Sequence, residues 1–372
     1  MIDKVADWQL ANAEPFPWRS APHGFRDPYR VWIAEVMAQQ TRLATVVPYF
    51  NRWIAALPSP RAVAQADEDR VLKLWEGLGY YQRALNIHRA AKQMVQRHRG
   101  QVPGTKEELL ALPGIGRYTA GGILSLAFNQ PEPAIDGNVV RLYSRLHKTL
   151  YTAQRKANLD TIDTHIRRLL AANPAVSPGL IAEGLMALGS KICKPINPDC
   201  PNCPVREHCT TYSSNSSAQP APPPGRSPVK PLSIRHYVGY VLLTVQGGQQ
   251  RIFLVRNRRG DMLGGLWGFP ALPVEELPAA DVSAAARIAQ DQLCVAVGPV
   301  RHLGRQIQDY SHFRRRQDTY LAVCHDVVPA TPRWEEGQWV PAGEIGDFAL
   351  SRIDHKIAAL LTANAETKAC AD

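Results

Sequence analysis

A break in composition near the middle of this 372-residue chain does most to limit what it can fold into. Residues 213–225 read Ser-Ser-Asn-Ser-Ser-Ala-Gln-Pro-Ala-Pro-Pro-Pro-Gly, a composition that cannot build a packed element and is typical of a linker. The chain is also longer than one hydrophobic core usually organises. We therefore expect two domains, residues 1–212 and 235–365, joined by a linker over residues 213–234.

The first region has the spacing of amphipathic helices. In Val31–Met37 the apolar residues stand at positions 32, 33, 36 and 37, which share one face of a helix. Acidic residues open the segment Asp67–Trp75, where they favour a helix start. Further helices are predicted over residues 83–99, 106–112 and 162–172. Few strand-like alternations interrupt this region, so we expect it to be all-α.

The second region changes to strand patterns. Residues 236–245 and 251–255 are rich in β-branched and aromatic side chains, and the Gln-Gly-Gly-Gln sequence between them predicts a turn. Another strand is expected over residues 319–324, and a helix over residues 283–293. With no repeat of fixed period, the pattern predicts an α+β domain.

Positive charge is concentrated in the first region. Residues 1–210 hold 26 Lys and Arg against 18 Asp and Glu, whereas residues 236–372 hold 14 against 15. A basic region joined to a near-neutral one favours a polyanion as the partner of the first region. A solvated basic surface without a partner is the alternative.

Nothing in the sequence points to a membrane. No stretch has the roughly 20 apolar residues that a membrane-spanning helix needs. The beginning of the chain, Met-Ile-Asp-Lys-Val-Ala-Asp-Trp, lacks the apolar run of a secretory signal. We therefore expect a cytoplasmic, bacterial-type protein that does not bind membranes.

Four of the seven cysteines lie close together, with the spacing Cys-x6-Cys-x2-Cys-x5-Cys. A disulfide framework would not leave this pattern in so long a chain. Four thiolates can hold either a tetrahedral zinc ion or a [4Fe–4S] cluster. The spacing favours a metal centre and leaves the choice between zinc and iron–sulfur open. The four residues are Cys193, Cys200, Cys203 and Cys209.

Two carboxylates and a glycine turn are the next signals. Gly114 and Gly116 form a Gly-x-Gly turn between helical segments, which lets backbone N–H groups approach a phosphate; a plain helix–helix turn is the alternative. Asp136 lies between apolar residues and a glycine, an unusual place for a surface charge. Glu35 lies inside an apolar helical run, although a single Glu in a helix is more often solvated.

Taken in this order, these residues resemble those of a known enzyme superfamily. The region from about residue 18 to residue 209 is similar to the helix-hairpin-helix, iron–sulfur base-excision glycosylases of the endonuclease III superfamily, and most of all to their adenine DNA glycosylase branch. The matching segments are Pro17-Trp18-Arg19, Glu35-Val36-Met37-Ala38-Gln39-Gln40-Thr41, Trp75-Glu76-Gly77-Leu78-Gly79-Tyr80-Tyr81 and Asp136-Gly137-Asn138-Val139. The resemblance covers nearly the whole chain, and it implies a [4Fe–4S] cluster on the four cysteines.

The resemblance implies an enzyme that hydrolyses the N-glycosidic bond of adenine mispaired with 8-oxoguanine or guanine in double-stranded DNA. Because adenine is a poor leaving group unless protonated, we expect Glu35, among apolar neighbours, to be the general acid. An ionised Asp136 would stabilise the oxocarbenium-like sugar. By resemblance, Tyr118 and Asn138 support this pair. Lyase relatives carry a lysine where this chain has Tyr118, and tyrosine cannot form a Schiff base, so a monofunctional enzyme is expected.

The resemblance also assigns the DNA contacts. The target base has to leave the helical stack to reach the carboxylates. Gln40 and Tyr80 would enter the duplex near the lesion. Thr41 and Leu78 would lie against the opposite strand, with ordinary core packing as the alternative for Tyr80 and Leu78. The residues expected to line the adenine pocket are Arg19 and Glu183, and those expected at the DNA backbone are Gly114 and Gly116.

The C-terminal region resembles the Nudix-like lesion-recognition domain of the same branch. Residues 264–270, Gly-Gly-Leu-Trp-Gly-Phe-Pro, match the start of the Nudix signature. Residues 287–292 read Arg-Ile-Ala-Gln-Asp-Gln where a hydrolase has the carboxylates that bind magnesium, so we expect binding without hydrolysis. Ser311 and His312 would check for 8-oxoguanine opposite the adenine, with Tyr310 in place of the family's Phe.

Three other functions compete with this interpretation. A thymine-mismatch glycosylase can also carry a tyrosine at the position of Tyr118, but Glu35 and the Nudix-like region argue against it. A non-catalytic, iron–sulfur DNA-binding module would not need Glu35 and Asp136. A nucleotide-pyrophosphate hydrolase would need the missing metal carboxylates. For the favoured enzyme we expect a monomer.

Overall fold

The structure is a computed structural model, and it describes residues 1–22, 26–149, 151, 155–214, 231–276, 281–295, 297–324 and 333–369. The chain divides into two compact units, Met1–Gln65 with Asn86–Val229, and Ala66–Leu85 with Lys230–Asp372. Residues 66–85, which the sequence-based limits assign to the first domain, therefore group with the second unit. Most of the predicted linker lies outside the described residues.

The first unit is helical, as the sequence predicts. The helices of the chain up to residue 213 are α1 (Ile2–Asn12), α2 (Pro28–Ala38), α3 (Leu43–Ala56), α4 (Pro60–Gln65), α5 (Glu68–Trp75), α6 (Gln82–Arg97), α7 (Lys106–Leu110), α8 (Arg117–Phe128), α9 (Gly137–Leu146), α10 (Lys156–Ala172), α11 (Pro178–Ala187) and α12 (Thr210–Ser213). Of these, α5 belongs to the second unit. A π-helical turn, Leu188–Ile192, continues α11.

The sequence explains where α2 begins and which face it buries. The Asp27 side chain accepts a hydrogen bond from the Tyr29 N–H at 2.8 Å, and Pro28 occupies the first helical position, where its missing N–H costs nothing. Trp32 and Met37 are fully buried. This agrees with the apolar face predicted for Val31–Met37, and α2 packs on α8.

One core of the first unit joins α1, α9, α10 and α11. Val5, Tyr143, Ile166 and Leu185 are among its buried members. Burying each such side chain contributes roughly 1.5–3 kcal/mol relative to leaving it in water. The packing holds α9, whose N-terminus follows Asp136, in a defined place.

The second unit contains a mixed sheet, which agrees with the α+β expectation. Its strands are β1 (Ser233–Gln246), β2 (Gln249–Arg256), β3 (Trp267–Gly268), β4 (Ala271–Val274), β5 (Val297–Asp309), β6 (Phe313–Cys324) and β7 (Glu336–Pro341). The strand order is β3-β2-β1-β6-β5, β4 also pairs with β1, and β7 pairs with β2. Strands β1 and β6 are parallel and all the other pairs are antiparallel.

Helices cover both faces of this sheet. On one face α13 (Val282–Leu293) buries Ala289 and Leu293 against Tyr240, and on the other α14 (Arg352–Ala369) buries Ile357. The predicted turn between β1 and β2 is formed by Gly247 and Gly248, both with positive φ, a backbone that glycine adopts without strain. None of the helices in the described ranges is long and apolar enough to cross a bilayer.

Candidate active site

A cleft of about 550 Å³ in the first unit brings together most of the residues singled out in the sequence. It lies between the C-terminal end of α2, the N-terminal ends of α8 and α9, and α11. The predicted site residues among its lining are Arg19, Glu35, Gln40, Thr41, Tyr118, Asp136, Asn138 and Glu183. Positions up to 164 residues apart in the chain, such as Arg19 and Glu183, thus share one cavity.

Glu35 has the electrostatics of an acid that keeps its proton near neutral pH. Its Oε2 atom is out of contact with solvent and has no hydrogen-bond partner among the described residues. The pKa of Glu35 is raised from 4.5 to about 7, chiefly because burial disfavours the charged form. The charges of Glu183 and Asp136 also raise this pKa, whereas the Tyr118 hydrogen bond and the charge of Arg19 lower it. The carboxyl is therefore able to donate a proton at neutral pH.

Gly122 makes room for this carboxyl, and the sequence patterns did not reveal it. A Cβ atom at Gly122 of α8 would stand 3.1 Å from Glu35 Oε2 and 3.2 Å from Glu35 Cδ. The absence of a side chain there lets α8 pack directly over the buried acid. Two consecutive glycines at positions 121 and 122, shortly after the Gly-x-Gly turn, were the available signal, because glycine disfavours helix interiors.

Asp136 is held as the N-cap of α9. Its Oδ1 atom accepts hydrogen bonds from the backbone N–H groups of Asn138 at 2.9 Å and Val139 at 2.8 Å, and its Oδ2 atom accepts one from Asn138 Nδ2 at 2.7 Å. A helix N-terminus favours a negative charge at this position. These three hydrogen bonds fix the direction in which the Asp136 carboxylate points.

Asn138 and Arg141 connect this carboxylate to the cysteine segment. Arg141 Nη2 donates to Asn138 Oδ1 at 2.8 Å, and Arg141 Nε donates to the Cys193 carbonyl at 2.9 Å. Gly189, in the π-helical turn, lies against the Asn138 backbone, where a Cβ atom would approach the Asn138 carbonyl oxygen to 2.6 Å. The predicted supporting role of Asn138 thus has a physical basis in its contacts.

Glu183 is buried between two guanidinium groups. Arg19 Nε lies 2.8 Å from Glu183 Oε1, and Arg26 Nη1 lies 2.7 Å from the same oxygen. A carboxylate that is only 4% exposed requires such partners, because an unpaired buried charge is costly. Sequence reasoning predicted Arg19 and Glu183 and missed Arg26, which stands outside any helical pattern.

Tyr118 is the second residue of α8 and lines the cleft. Its hydroxyl donates to Met186 Sδ at 3.4 Å. Burial, together with the nearby charges of Glu35 and Asp136, raises the Tyr118 pKa well above its usual value, so the hydroxyl stays protonated. It can donate a hydrogen bond to a neighbouring carboxylate but cannot act as an amine.

The chain leaves α2 through a strained turn. Gln40 has a φ of 57° and is exposed. A left-handed backbone is uncommon for residues other than glycine and is often found at functional sites. The next residue, Thr41, is partly buried at the rim of the cleft, with its hydroxyl 3.4 Å from the Gln39 carbonyl.

The Gly-x-Gly turn lies between α7 and α8. Gly114 has a φ of 79°, and a Cβ atom there would approach the side chain of Asn86 to 2.7 Å. Gly116 precedes the first residue of α8 and is exposed, with nothing within 4 Å of its Cβ position. The N–H groups at this helix N-terminus are therefore open to an anion.

The four clustered cysteines surround one small cavity. Cys193, Cys200, Cys203 and Cys209 all line it, with Arg145 beside them. Arg145 Nη1 lies 3.3 Å from Cys193 Sγ. No three His, Cys, Asp or Glu side chains in the described part of the chain lie close enough to hold one metal ion. Four thiols that line one cavity supply the kind of donor set that either a zinc ion or an iron–sulfur cluster uses.

The remaining predicted residues lie in the second unit. Leu78 is 7% exposed and Tyr80 is 51% exposed, so Tyr80 is free to contact DNA while Leu78 is packed. Ser311 and His312 are exposed in the turn between β5 and β6, where Ser311 Oγ lies 3.1 Å from His312 Nδ1. The Tyr310 ring stacks on Phe313 with 5.0 Å between centroids.

Comparisons with known proteins identify the family of each region. A model of the HhH-GPD superfamily base excision DNA repair proteins matches residues 33–172, and a NUDIX domain model matches residues 240–360. The adenine DNA glycosylase of Rattus norvegicus is 30% identical over 403 residues, covering 95% of this chain and 76% of that protein. The adenine DNA glycosylase of Homo sapiens is 29% identical over 405 residues, covering 95% and 72%.

A solved structure of a thermostable thymine-DNA glycosylase shares the helical fold, with a TM-score of 0.51 and 24% identity over 57% of this chain and 95% of that one. At this identity the likeness concerns the fold alone. The family is decided by the long sequence match to the adenine enzymes, which extends over both the helical and the Nudix-like regions. The chain therefore belongs to the adenine DNA glycosylase family and is a DNA glycosylase of base excision repair.

Proposed function

We propose that this glycosylase hydrolyses the N-glycosidic bond of adenine mispaired with 8-oxoguanine or guanine in double-stranded DNA. The observation that carries the proposal is the pairing, in one cleft, of a carboxyl whose pKa is raised to about 7 with a second carboxylate capped by a helix N-terminus. Separated protonation states of two carboxyls are what an acid-assisted glycoside cleavage needs.

In the proposed reaction Glu35 donates its proton to N7 of the extruded adenine. The bond between the sugar C1′ atom and N9 then breaks, and its electron pair leaves with the neutral base. The sugar is left as an oxocarbenium-like cation, which the negative charge of Asp136 stabilises. Water adds to C1′ and gives its proton to the Glu35 carboxylate, which restores the starting acid.

The pocket proposed for adenine contains Arg19 and Glu183. Because Glu183 pairs with both Arg19 and Arg26, its carboxylate is held in one orientation within the cleft. An acceptor of this kind suits the exocyclic amine of adenine better than a carbonyl oxygen. Tyr118, without an amine, supports base release without strand cleavage, which makes the proposed enzyme monofunctional.

The proposed DNA contacts come from residues of both units. The N–H groups of Gly114 and Gly116 would bind phosphate oxygens of the backbone. Tyr80, with its exposed ring, and Gln40, on its strained turn, would fill the space of the extruded base. The turn that contains Ser311 and His312 would contact the base opposite the adenine. The residues proposed against the other strand are Thr41 and Leu78.

The four cysteines are proposed to hold a [4Fe–4S] cluster. When bound, the cluster supplies a covalent cross-link of the 193–209 segment through iron–thiolate bonds. The protein's own contribution is Arg145, which hydrogen-bonds Cys193 Sγ and the Lys194 carbonyl at 2.6 Å and so orders the segment. Iron and sulfide determination on the purified protein tests the assignment, and a zinc content of one per chain would contradict it.

We further propose that one chain suffices for the reaction, since the first unit alone supplies both carboxylates. The proposed domain limits are residues 1–212 and 235–365, with residues 213–234 between them, and the proposed location is the bacterial-type cytoplasm. Light scattering of the purified protein, alone and with DNA, would test the monomer.

A single-turnover assay tests the function. Duplexes with a target adenine opposite 8-oxoguanine, guanine or thymine, and a thymine opposite guanine, are incubated with excess enzyme. We expect release of adenine opposite 8-oxoguanine and guanine, and none with the Glu35→Gln variant, which should still bind DNA. Release of thymine, or turnover by the Glu35→Gln variant, would reject the proposal.

A further inference from the structure

Glu76 fastens the loop that carries Tyr80 to the sheet fold of the second unit. Glu76 Oε1 accepts a hydrogen bond from the Leu350 N–H at 2.6 Å and lies 2.9 Å from His355 Nε2. Its Oε2 atom lies 2.7 Å from Lys73 Nζ. Residues 66–85 and 230–372 form one compact unit, so these contacts are internal to it.

The Glu76 carboxylate is held in its charged form. Its side chain is only 15% exposed, and burial by itself raises the pKa. Hydrogen bonds from His355, Lys73 and the Leu350 N–H outweigh that effect, and the pKa of Glu76 lies below its usual value. Leu350 also forms a β-bridge with Trp267 of β3. The hydrogen bond between Glu76 and Leu350 therefore connects the loop to the sheet.

The loop that follows has a strained and closely tied backbone. Gly77, Gly79 and Tyr80 have φ values of 91°, 78° and 49°, all in the left-handed region. The Gly79 carbonyl accepts hydrogen bonds from Trp75 Nε1 and Arg83 Nη2, each at 3.0 Å. A left-handed tyrosine persists only where its surroundings hold it.

The Arg83 guanidinium also lies over the Tyr80 ring, 5.5 Å from its centroid. The ring is thus presented to solvent, half exposed, by a loop whose conformation is set before DNA arrives. Glu76, which directly precedes this loop, joins it to the fold that contains Ser311 and His312.

We infer that Glu76 is a positioning residue for base extrusion, which places the Tyr80 loop by anchoring it to the Nudix-like fold. The inference rests on the proposed function, because it takes Tyr80 as the side chain that enters the duplex. A pre-positioned loop lowers the cost of opening a base pair, whereas it does nothing for the bond cleavage that follows.

The experiment compares Glu76→Gln with a matched control, Glu68→Gln. Glu68, the first residue of α5, joins the same segment to the same fold through Arg256 Nη2 at 3.4 Å and Arg259 Nε at 3.2 Å. Its side chain is 22% exposed, close to that of Glu76, but it stands roughly 10 Å of helix away from the loop. Each variant removes the charge of one carboxylate that joins this segment to the fold. Only Glu76→Gln removes the charge next to the Tyr80 loop.

Single-turnover rates are measured on two substrates with the full-length protein. In one the adenine is paired opposite 8-oxoguanine, and in the other it stands opposite an abasic site, where no base pair has to open. Glu76→Gln should slow release of the paired adenine about tenfold and leave the unpaired adenine unaffected. Glu68→Gln should change neither rate by more than about twofold. Fluorescence of 2-aminopurine placed beside the target should show the same selective loss of extrusion.

A second variant keeps the inference testable if Glu76→Gln fails to fold. The His355 side chain is 46% exposed, and His355→Ala leaves the Leu350 N–H bond to Glu76 intact. His355→Ala should slow release of the adenine opposite 8-oxoguanine about threefold and leave release of the adenine opposite the abasic site unchanged. Equal slowing of both substrates, or the same loss with Glu68→Gln, would overturn the inference. A wild-type protein that releases no adenine at all would instead reject the proposed function.

Discussion

At the scale of single residues, the behaviour of the site depends on how Glu35 is buried. The apolar neighbours of Glu35 in the sequence predicted the direction of its pKa shift, and the structure puts that pKa at about 7. The sequence neighbours of Glu35 do not indicate that α8 packs against the carboxyl at Gly122. They also do not indicate that the charges of Glu183 and Asp136 raise the pKa of Glu35. These groups are distant in sequence and become neighbours only through packing.

The pH dependence of base release follows from this value. Because Glu35 must be protonated to act, the single-turnover rate should be constant well below pH 7 and should fall about tenfold per pH unit above it. Rates measured from about pH 6 to about pH 9 check this. DNA binding over the same range serves as the control, since it should not follow the same curve. A rate that rises through pH 7 would contradict Glu35 as the acid.

Glu35 should also cost the protein stability at high pH. Its folded-state pKa is raised from 4.5 to about 7, so its contribution to stability is complete below about pH 4.5 and is lost as the pH rises through about 7. The loss is of the order of 3 kcal/mol, because each pKa unit corresponds to about 1.4 kcal/mol.

Glu35→Gln, which is inactive but uncharged, should therefore be more stable than the wild type at about pH 8.5 and similar to it at about pH 5. Urea denaturation at both pH values gives the two free energies of unfolding. Glu344→Gln, at an exposed position, is the matched control and should show no such difference. Equal stability of Glu35→Gln and wild type at the higher pH would show that the carboxyl is not buried.

At the scale of elements, the site depends on how α9 meets the end of α11. Asp136 caps α9, Asn138 supports Asp136, and Arg141 links Asn138 to the Cys193 carbonyl. The π-helical turn Leu188–Ile192 reaches α9 closely because Gly189 has no side chain. The Asp-Gly-Asn-Val sequence indicated the acid, but no sequence pattern indicated the turn that packs on it.

Gly189→Ala should disturb both stability and chemistry. Its new Cβ atom would stand 2.6 Å from the Asn138 carbonyl oxygen and 2.7 Å from Asn138 Cβ, so backbone has to move. We expect a loss of about 1–3 kcal/mol in the free energy of unfolding and a lower single-turnover rate through the displaced Asn138. Gly343→Ala, where a Cβ atom meets nothing within 4 Å, is the control for stability. An unchanged single-turnover rate in Gly189→Ala would show that the position of Asn138 does not affect base release.

The turn between β5 and β6 has its own test. Replacing Ser311 and His312 together by Ala should reduce the preference for 8-oxoguanine over guanine opposite the adenine, by about tenfold if two polar contacts are lost. Release opposite guanine should change little. Asp309→Asn, which weakens the exposed Asp309–Arg314 pair beside the turn, is the matched control. An equal loss of rate opposite 8-oxoguanine and opposite guanine would show that Ser311 and His312 do not distinguish between the two opposing bases.

At the scale of the whole molecule, the two units differ in charge and in what they contribute. The two carboxylates, the pocket proposed for adenine, the Gly-x-Gly turn and the cysteines lie in the first unit, and the Tyr80 loop and the Ser311 turn lie in the second. Net positive charge is concentrated in residues 1–210. Basic surface of this kind attracts the DNA backbone regardless of sequence.

DNA affinity should accordingly depend strongly on salt. For undamaged duplex DNA we expect the dissociation constant to rise at least about tenfold between roughly 50 and 200 mM salt, because counterions are released with each phosphate contact. Fluorescence anisotropy with a labelled duplex measures it. The preference for a mispair over an undamaged duplex should be less sensitive to salt, since base contacts carry it. An affinity independent of salt would exclude the backbone contacts proposed for the helical unit.

By itself, the sequence determined the class of each region and the identities of the principal side chains. Periodicity predicted α2, α5, α6 and α10, and β-branched and aromatic composition around a turn predicted β1 and β2. Residue motifs indicated the adenine DNA glycosylase family. These features are local, because helix spacing, capping by Asp27 and turn glycines act within a few residues.

Only the tertiary structure decided which distant residues share an environment. Arg26 forms an ion pair with Glu183, and Gly122 lets α8 pack against the Glu35 carboxyl. The segment 66–85 groups with the Nudix-like unit and not with the helical one. Such contacts depend on which surfaces pack against each other. A helical or strand periodicity shows which face of an element is apolar, but not which other element that face contacts. The shift in the pKa of Glu35 arises at the same level, because desolvation and charge act through space and not along the chain.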